Sequence, residues 1–205
     1  MERRNNYEIQ AEQARKLFCA RDLDAVVRAH ALRADEAFLY PQLLGEDYRI
    51  SRADGHIARR EGGAWAPADG FDETLTLFDL LCDAKPGRHA AGSWKTTLEF
   101  GGQVHRGLME SNRADALELL YDRQPELLRS ACLRLGGAPM AGADLGFMLP
   151  FFEDLRIAVQ FWHGDDEFAP RLRVLWDANA DQYLRYETMY YAIGLLKSRL
   201  RAYGV

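Results

Sequence analysis

The run Leu145-Gly146-Phe147-Met148-Leu149-Pro150-Phe151-Phe152-Glu153-Asp154-Leu155-Arg156-Ile157-Ala158-Val159-Gln160-Phe161-Trp162, with Leu172-Arg173-Val174-Leu175-Trp176 after it, decides the fold class. Residues 145–152 are apolar on both faces of an extended chain, and Glu153-Asp154 supplies turn chemistry. In the next run Leu155, Ile157, Val159 and Phe161 alternate with Arg156, Ala158, Gln160 and Trp162, the period-two signature of a half-buried strand. The third run completes an antiparallel meander.

Downstream of the meander the spacing predicts a long terminal helix, with Asn179 as its cap and Met189, Ile193, Leu196, Leu200 and Tyr203 on one stripe. Lys197, Arg199 and Arg201 fall in its last turns, where cations meet the helix dipole favourably; they read as a solvated helix end.

Upstream, two helices precede the meander. Asn112 with Asp115 three residues on resembles a capping box, and Pro125 suits the first turn of a helix striped by Leu128, Ala131, Cys132 and Leu135 and stopped by Gly136-Gly137. Trp94, Thr96, Leu98 and Phe100 alternate with Lys95, Thr97 and Glu99 as in a strand that Gly101-Gly102 turns. Phe71, Leu75, Phe78 and Cys82 mark a helix ended by Lys85-Pro86-Gly87, and residues 61–70 read as a surface loop. Between Asp47 and Arg60, Asp54-Gly55 separates two short alternating runs and signals a hairpin. The first thirty residues read as two short helices, the second capped by Asp22, with His30 a satisfied, partly buried histidine on the apolar stripe.

Helices and antiparallel hairpins thus come in blocks without βαβ alternation. The expected class is α+β: an antiparallel sheet, made of the hairpin and the C-terminal three-strand meander, packed by several helices including the long last one, in one domain over residues 1–205.

Composition narrows the function. Lys and Arg number 26 against 31 Asp and Glu, a formal charge of −5, which argues against a general nucleic-acid binder because phosphate binding needs clustered cations. Residues 140–170 alone carry six carboxylates and one arginine, so the whole excess sits in the meander. No apolar run reaches the ~18 residues of a membrane span. The first residues lack the apolar core of a secretory signal, and a cytoplasmic location is expected. Cys19, Cys82 and Cys132 are scattered singly, a pattern of helix-core thiols rather than of disulfides or a metal knuckle.

Phosphate-loop, dinucleotide-fingerprint, His-Glu-x-x-His and Gly-x-Ser-x-Gly motifs are missing, and Ser93 in Gly92-Ser93-Trp94 has no assignable base. What stands out is Trp162-His163-Gly164-Asp165-Asp166-Glu167-Phe168-Ala169-Pro170. His163, Asp165, Asp166 and Glu167, joined by Asp144 if the strand ends meet, offer the mixed oxygen and imidazole donors of a divalent-ion site; Gly-Asp-Asp is equally ordinary turn chemistry. A second reading uses the aromatics: Trp94, Trp162, Trp176 and Phe168 can wall a pocket for a flat ligand, with Asp144, Asp166 and Glu167 as its polar groups, or can simply pack the core.

At these residues the chain resembles a family of bacterial and archaeal proteins designated domain of unknown function 3786. The resemblance runs through Leu44-Gly45-Glu46-Asp47-Tyr48-Arg49-Ile50 with Asp54-Gly55, Gly92-Ser93-Trp94, Gly101-Gly102, Gly142-Ala143-Asp144, Pro150, Trp162 to Pro170, and Leu175-Trp176-Asp177 leading to Tyr183-Leu184 and Glu187. Here Ala169 stands between Phe168 and Pro170, where the family is expected to place Pro directly after Phe. The resemblance implies no activity. It implies an anaerobic setting beside corrinoid and iron–sulfur proteins, and any cluster would belong to a partner.

Three functions follow as expectations. The first is a soluble, non-catalytic accessory or ligand-binding protein, taking a small molecule or engaging a corrinoid or iron–sulfur protein. The second is a metal-dependent hydrolase using His163, Asp165, Asp166 and Glu167, and the third a structural homo-oligomer subunit. No cofactor is assignable from the residues.

Overall fold

The meander forms as its alternation predicts. In the computed structural model, which describes residues 6–101 and 114–204, β9 (Leu145–Phe152), β10 (Leu155–Trp162) and β11 (Arg171–Asp177) pair antiparallel, with Val159 opposite Phe147 on one side and Val174 on the other. The middle strand is buried along both faces, Ala158 and Gln160 included, and so is a central strand rather than a half-buried one. Two short strands, β7 (Trp94–Lys95) and β8 (Ala138–Pro139), complete a five-stranded sheet in the order β7-β11-β10-β9-β8.

Two expectations around this sheet need correction. The strand expected over Trp94 to Phe100 stops at Lys95, because the Glu99 carboxylate accepts from both the backbone N–H and the hydroxyl of Thr96, at 2.7 Å each, and winds residues 97–99 into a 3-10 turn. That local cap outcompetes the ladder. Asn179 caps no long helix either: it precedes a 3-10 turn at Ala180–Gln182, and the terminal helix α6 spans Tyr186–Tyr203. The start of α6 is fixed by buried Asp79, which accepts from the Arg185 backbone N–H at 2.9 Å and from its Nε at 2.6 Å.

The N-terminal half builds a second antiparallel sheet. β4 (Glu46–Ser51) and β5 (Ile57–Glu61) form the expected hairpin, turned at Gly55, whose φ of +72° suits a residue without Cβ. The expected loop at 61–70 instead carries β6 (Ala64–Pro67), which Gly62-Gly63 folds back onto β5. β1 (Arg33–Ala34) and β2 (Phe38–Tyr40) extend the sheet to β1-β2-β4-β5-β6, and β3 (Gln42–Leu43) pairs β4 on its own. Leu44, just past β3, donates its N–H to the Phe151 carbonyl of β9, so the two sheets meet at the backbone.

Among the described residues five further helices pack on the sheets: α1 (Asn6–Cys19), α2 (Leu23–Ala29), α3 (Phe71–Asp83), α4 (Ala116–Arg123) and α5 (Pro125–Arg134). The Asp22 cap forms as expected, its carboxylate accepting from the N–H groups of Asp24 and Ala25. Asn112 and Gly102 lie outside the described residues; the cap of α4 is Asp115, in a capping box with Glu118. One hydrophobic core, from Phe18 through Tyr48, Leu77 and Tyr121 to Trp176 and Leu200, runs through both sheets and the helices, as α+β architecture requires. Cys132 is buried in it, whereas Cys19 and Cys82 are half-buried. No helix among the described residues is long and apolar enough to cross a membrane.

The terminal helix is not a solvated end at Arg199. That side chain is buried, its Nε donating to Glu46 at 2.9 Å and its terminal nitrogen to Glu73 and to the Tyr48 hydroxyl, which clamps α6 to β4 and α3. Lys197 pairs with Asp115 at 2.8 Å. His30 is satisfied, as expected: Nε2 donates to the Leu81 carbonyl at 3.0 Å, and Nδ1 lies 2.7 Å from Glu153 in the β9–β10 turn.

Candidate functional site

The connection from β10 to β11 is an Asx turn. Asp165 Oδ1 accepts from the N–H groups of Glu167 and Phe168 at 2.8 and 2.7 Å, and the Asp165 N–H donates to the Phe168 carbonyl at 2.9 Å. Those two backbone donors hold the Asp165 carboxyl below the usual aspartate range. The turn closes ahead of Ala169, and it leaves Phe168 69% exposed.

Two carboxylates from elsewhere fix the start of this turn. Asp144, just before β9, accepts the His163 N–H at 2.9 Å, so the meander does bring the two strand ends together. Asp122 on α4 accepts the Gly164 N–H at 3.1 Å and lies 3.0 Å from His163 Nδ1. The His163 hydrogen bond, then that of Gly164, holds the Asp122 carboxyl below its usual range. An ionised carboxylate only accepts, so Nδ1 carries the proton and Nε2 keeps its lone pair in the neutral ring. Nε2 has no protein partner among the described residues.

Around these groups lies a cleft of about 980 Å³, lined by Asp144, Trp162, His163, Asp165, Glu167 and Phe168, with Ala114, Ala169, Pro170 and Arg171. Arg173, next along β11, stacks its guanidinium 5.3 Å from the Trp162 ring centre. The volume is at the upper end of the ~300–1,000 Å³ typical of small-molecule sites. The arrangement offers aromatic surface, one basic imidazole nitrogen held by a carboxylate, and hydrogen-bonding groups of both signs.

The other expected residues lie elsewhere. Trp176 is fully buried, edge-to-face on Phe151 at 5.0 Å, with its indole N–H given to Thr97 at 3.2 Å. Trp94 sits on the edge strand opposite Asp177, at the far end of β11 from the cleft, roughly 20 Å away at strand rise. Asp166 does not line the cleft. Among the described residues no group of three or more His, Cys, Asp or Glu is arranged to hold a metal ion. Asp165 spends one oxygen on the turn, and His163 pairs with Asp122 rather than with its sequence neighbours. Asp122 is the residue that sequence reasoning missed. It stands 41 positions from its partner in an ordinary helix, with no local signal to reveal it.

Fold and cleft together define an α+β protein with an aromatic, histidine-bearing pocket at one end of its meander. The chain matches the family model described as domain of unknown function (DUF3786) over residues 22–199 and belongs to that family. Neither the curated proteins nor the solved structures yield a match.

Proposed function

We propose that this chain is a single-domain, non-catalytic accessory protein that binds a small molecule with a flat ring system in the cleft between Trp162 and Phe168. The observation that carries this reading is Phe168, held out by the Asx turn at 69% exposure on the lip of a cleft that Trp162 also lines. Aromatic side chains lining a concave site are a usual feature of small-molecule pockets. His163 Nε2 supplies a directional contact to the ligand, as hydrogen-bond acceptor or as a single Lewis base. As part of the same proposal, the partner is a corrinoid or iron–sulfur protein in an anaerobic setting, which is what the resemblance noted in the sequence implies. Three free thiols on three separate helices suit a reducing cytoplasm, and a cluster in such a complex would be the partner's.

A panel of compounds that carry a flat ring system, with hydroxocobalamin, haem and flavin mononucleotide as the first three, tests this by thermal melting. At a hundredfold excess over Kd, binding stabilises by about 2.7 kcal/mol, which for a chain of this size raises the melting temperature by roughly 5–10 °C. The shift is expected for at least one compound and is expected to vanish in Phe168→Ala and His163→Ala. No shift across the panel, or shifts that both variants retain, would overturn the proposal.

A further inference from the structure

A second cleft, of about 490 Å³, opens between α1, α3 and α6 on a different side of the core, and its chemistry differs from that of the first. Three rings form its apolar wall: Tyr7 of α1 meets Phe71 of α3 edge-to-face at 4.9 Å, and Phe71 meets Tyr191 of α6 in the same way at 4.9 Å. Asp72 and Glu73 supply its carboxylates.

The two acids are in unlike circumstances. Glu73 is partnered, its Oε1 accepting from Arg199 and from the Tyr48 hydroxyl, with Arg199 in turn shared with Glu46, although burial still pushes its carboxyl up to about 7. Asp72 is half-buried and has no hydrogen bond or ion pair among the described residues. Burial alone pushes its carboxyl above the usual aspartate value, with no cation to pull it back.

The opposite helix makes room for that carboxylate. Gly194 lies in the middle of α6, where glycine costs roughly 1 kcal/mol relative to alanine, and a Cβ there would stand 2.8 Å from Asp72 Oδ2. Glycine at this position lets α6 pack directly against the Asp72 carboxylate at the edge of the cleft. Asp72 stands in the first turn of α3, which favours a negative charge, and no cation among the described residues pairs with it, so a cation entering the cleft is its first counter-ion.

We propose that the cleft between α1, α3 and α6 binds a small organic ammonium ion, its charge against Asp72 and its alkyl groups against Phe71 and Tyr191. Aromatic faces and one carboxylate are the recognition chemistry of alkylated ammonium groups. A bare divalent ion needs six or more oxygen ligands, and one free carboxylate does not provide them. An anion meets two carboxylates and an arginine already neutralised by Glu46 and Glu73. This site is independent of the cleft at Trp162.

The test is calorimetric titration of the intact protein with choline and with its neutral isostere 3,3-dimethylbutan-1-ol. Saturable binding of choline is expected, with the neutral compound at least tenfold weaker. Asp72→Asn keeps the shape and removes the charge; it is expected to weaken choline at least tenfold while leaving the melting temperature of the free protein unchanged or higher. Tyr191→Leu, which leaves Asp72 in place, is expected to weaken choline several-fold. Equal affinity for the two compounds, an absence of saturable binding, or an Asp72→Asn protein that binds choline like the parent or melts lower would each refute the proposal.

Discussion

Arg199 shows how much one side chain does that its neighbours in sequence conceal. Its position near the end of an amphipathic helix suggests a solvated cation, yet Glu46 and Glu73 reach it across separations of 153 and 126 residues and draw it into the core. Removing it leaves two part-buried carboxylates with only the Arg59 guanidinium, 3.5 Å from Glu46 and 3.9 Å from Glu73, as counter-charge. Arg199→Met is therefore expected to cost about 3–5 kcal/mol in urea unfolding, and the added change Glu73→Gln to recover part of that loss. A double mutant no more stable than the single one would contradict the pairing. His30 makes the same point. Its burial was legible from the apolar stripe, whereas its partner Glu153, 123 residues away, was not. Periodicity reports which face is inward and says nothing about which distant group waits there.

Among the elements, those with many repeats of their period were legible and the short ones were not. β9, β10 and β11 run for seven or eight residues each with clear turn chemistry between them, and all three form. β1, β3, β7 and β8 have two residues apiece, too few for any alternation, and exist because a longer neighbour offers them a ladder. Residues 94–100 alternate well and still fail as a strand, since the local Thr96–Glu99 cap offers the backbone an alternative to the ladder.

The turn between β9 and β10 carries a pH dependence that belongs to the element as a whole. Burial raises the proton affinity of Glu153, but hydrogen bonds from His30 and Arg88 outweigh it and hold the carboxyl below its ordinary value of 4.5. A carboxyl depressed in the folded state contributes stability that is complete above the unfolded value and is lost as pH falls through the folded one. Melting temperature is thus expected to fall on acidification below about pH 4.5, and Glu153→Gln to flatten that limb of the curve. An acid limb of the same slope in the variant would show that other carboxylates carry it.

For the molecule as a whole, the charge of −5 localises to the meander, and the structure gives most of those carboxylates specific duties. Asp144 ties two strand ends, Asp165 builds the turn, and Glu153 anchors helix α2 through His30. The cleft was half legible: Asp144, Trp162, His163, Glu167 and Phe168 are contiguous or nearly so in the fold, while Trp176 on β11 and Trp94 on its neighbour β7, grouped with them by residue type alone, lie at the far end of β11 from it. Composition can nominate aromatics for a pocket, but only register decides which end of a strand they occupy.

If Trp162 and Phe168 wall a ligand site, indole fluorescence reads it directly. On titrating the intact protein with the compound that gives the largest melting shift, saturable quenching is expected, and the same titration of Trp162→Phe is expected to lose most of that signal while Trp94→Phe keeps it. Quenching that survives in Trp162→Phe, or that disappears only in Trp94→Phe, would place the ligand elsewhere and contradict the account.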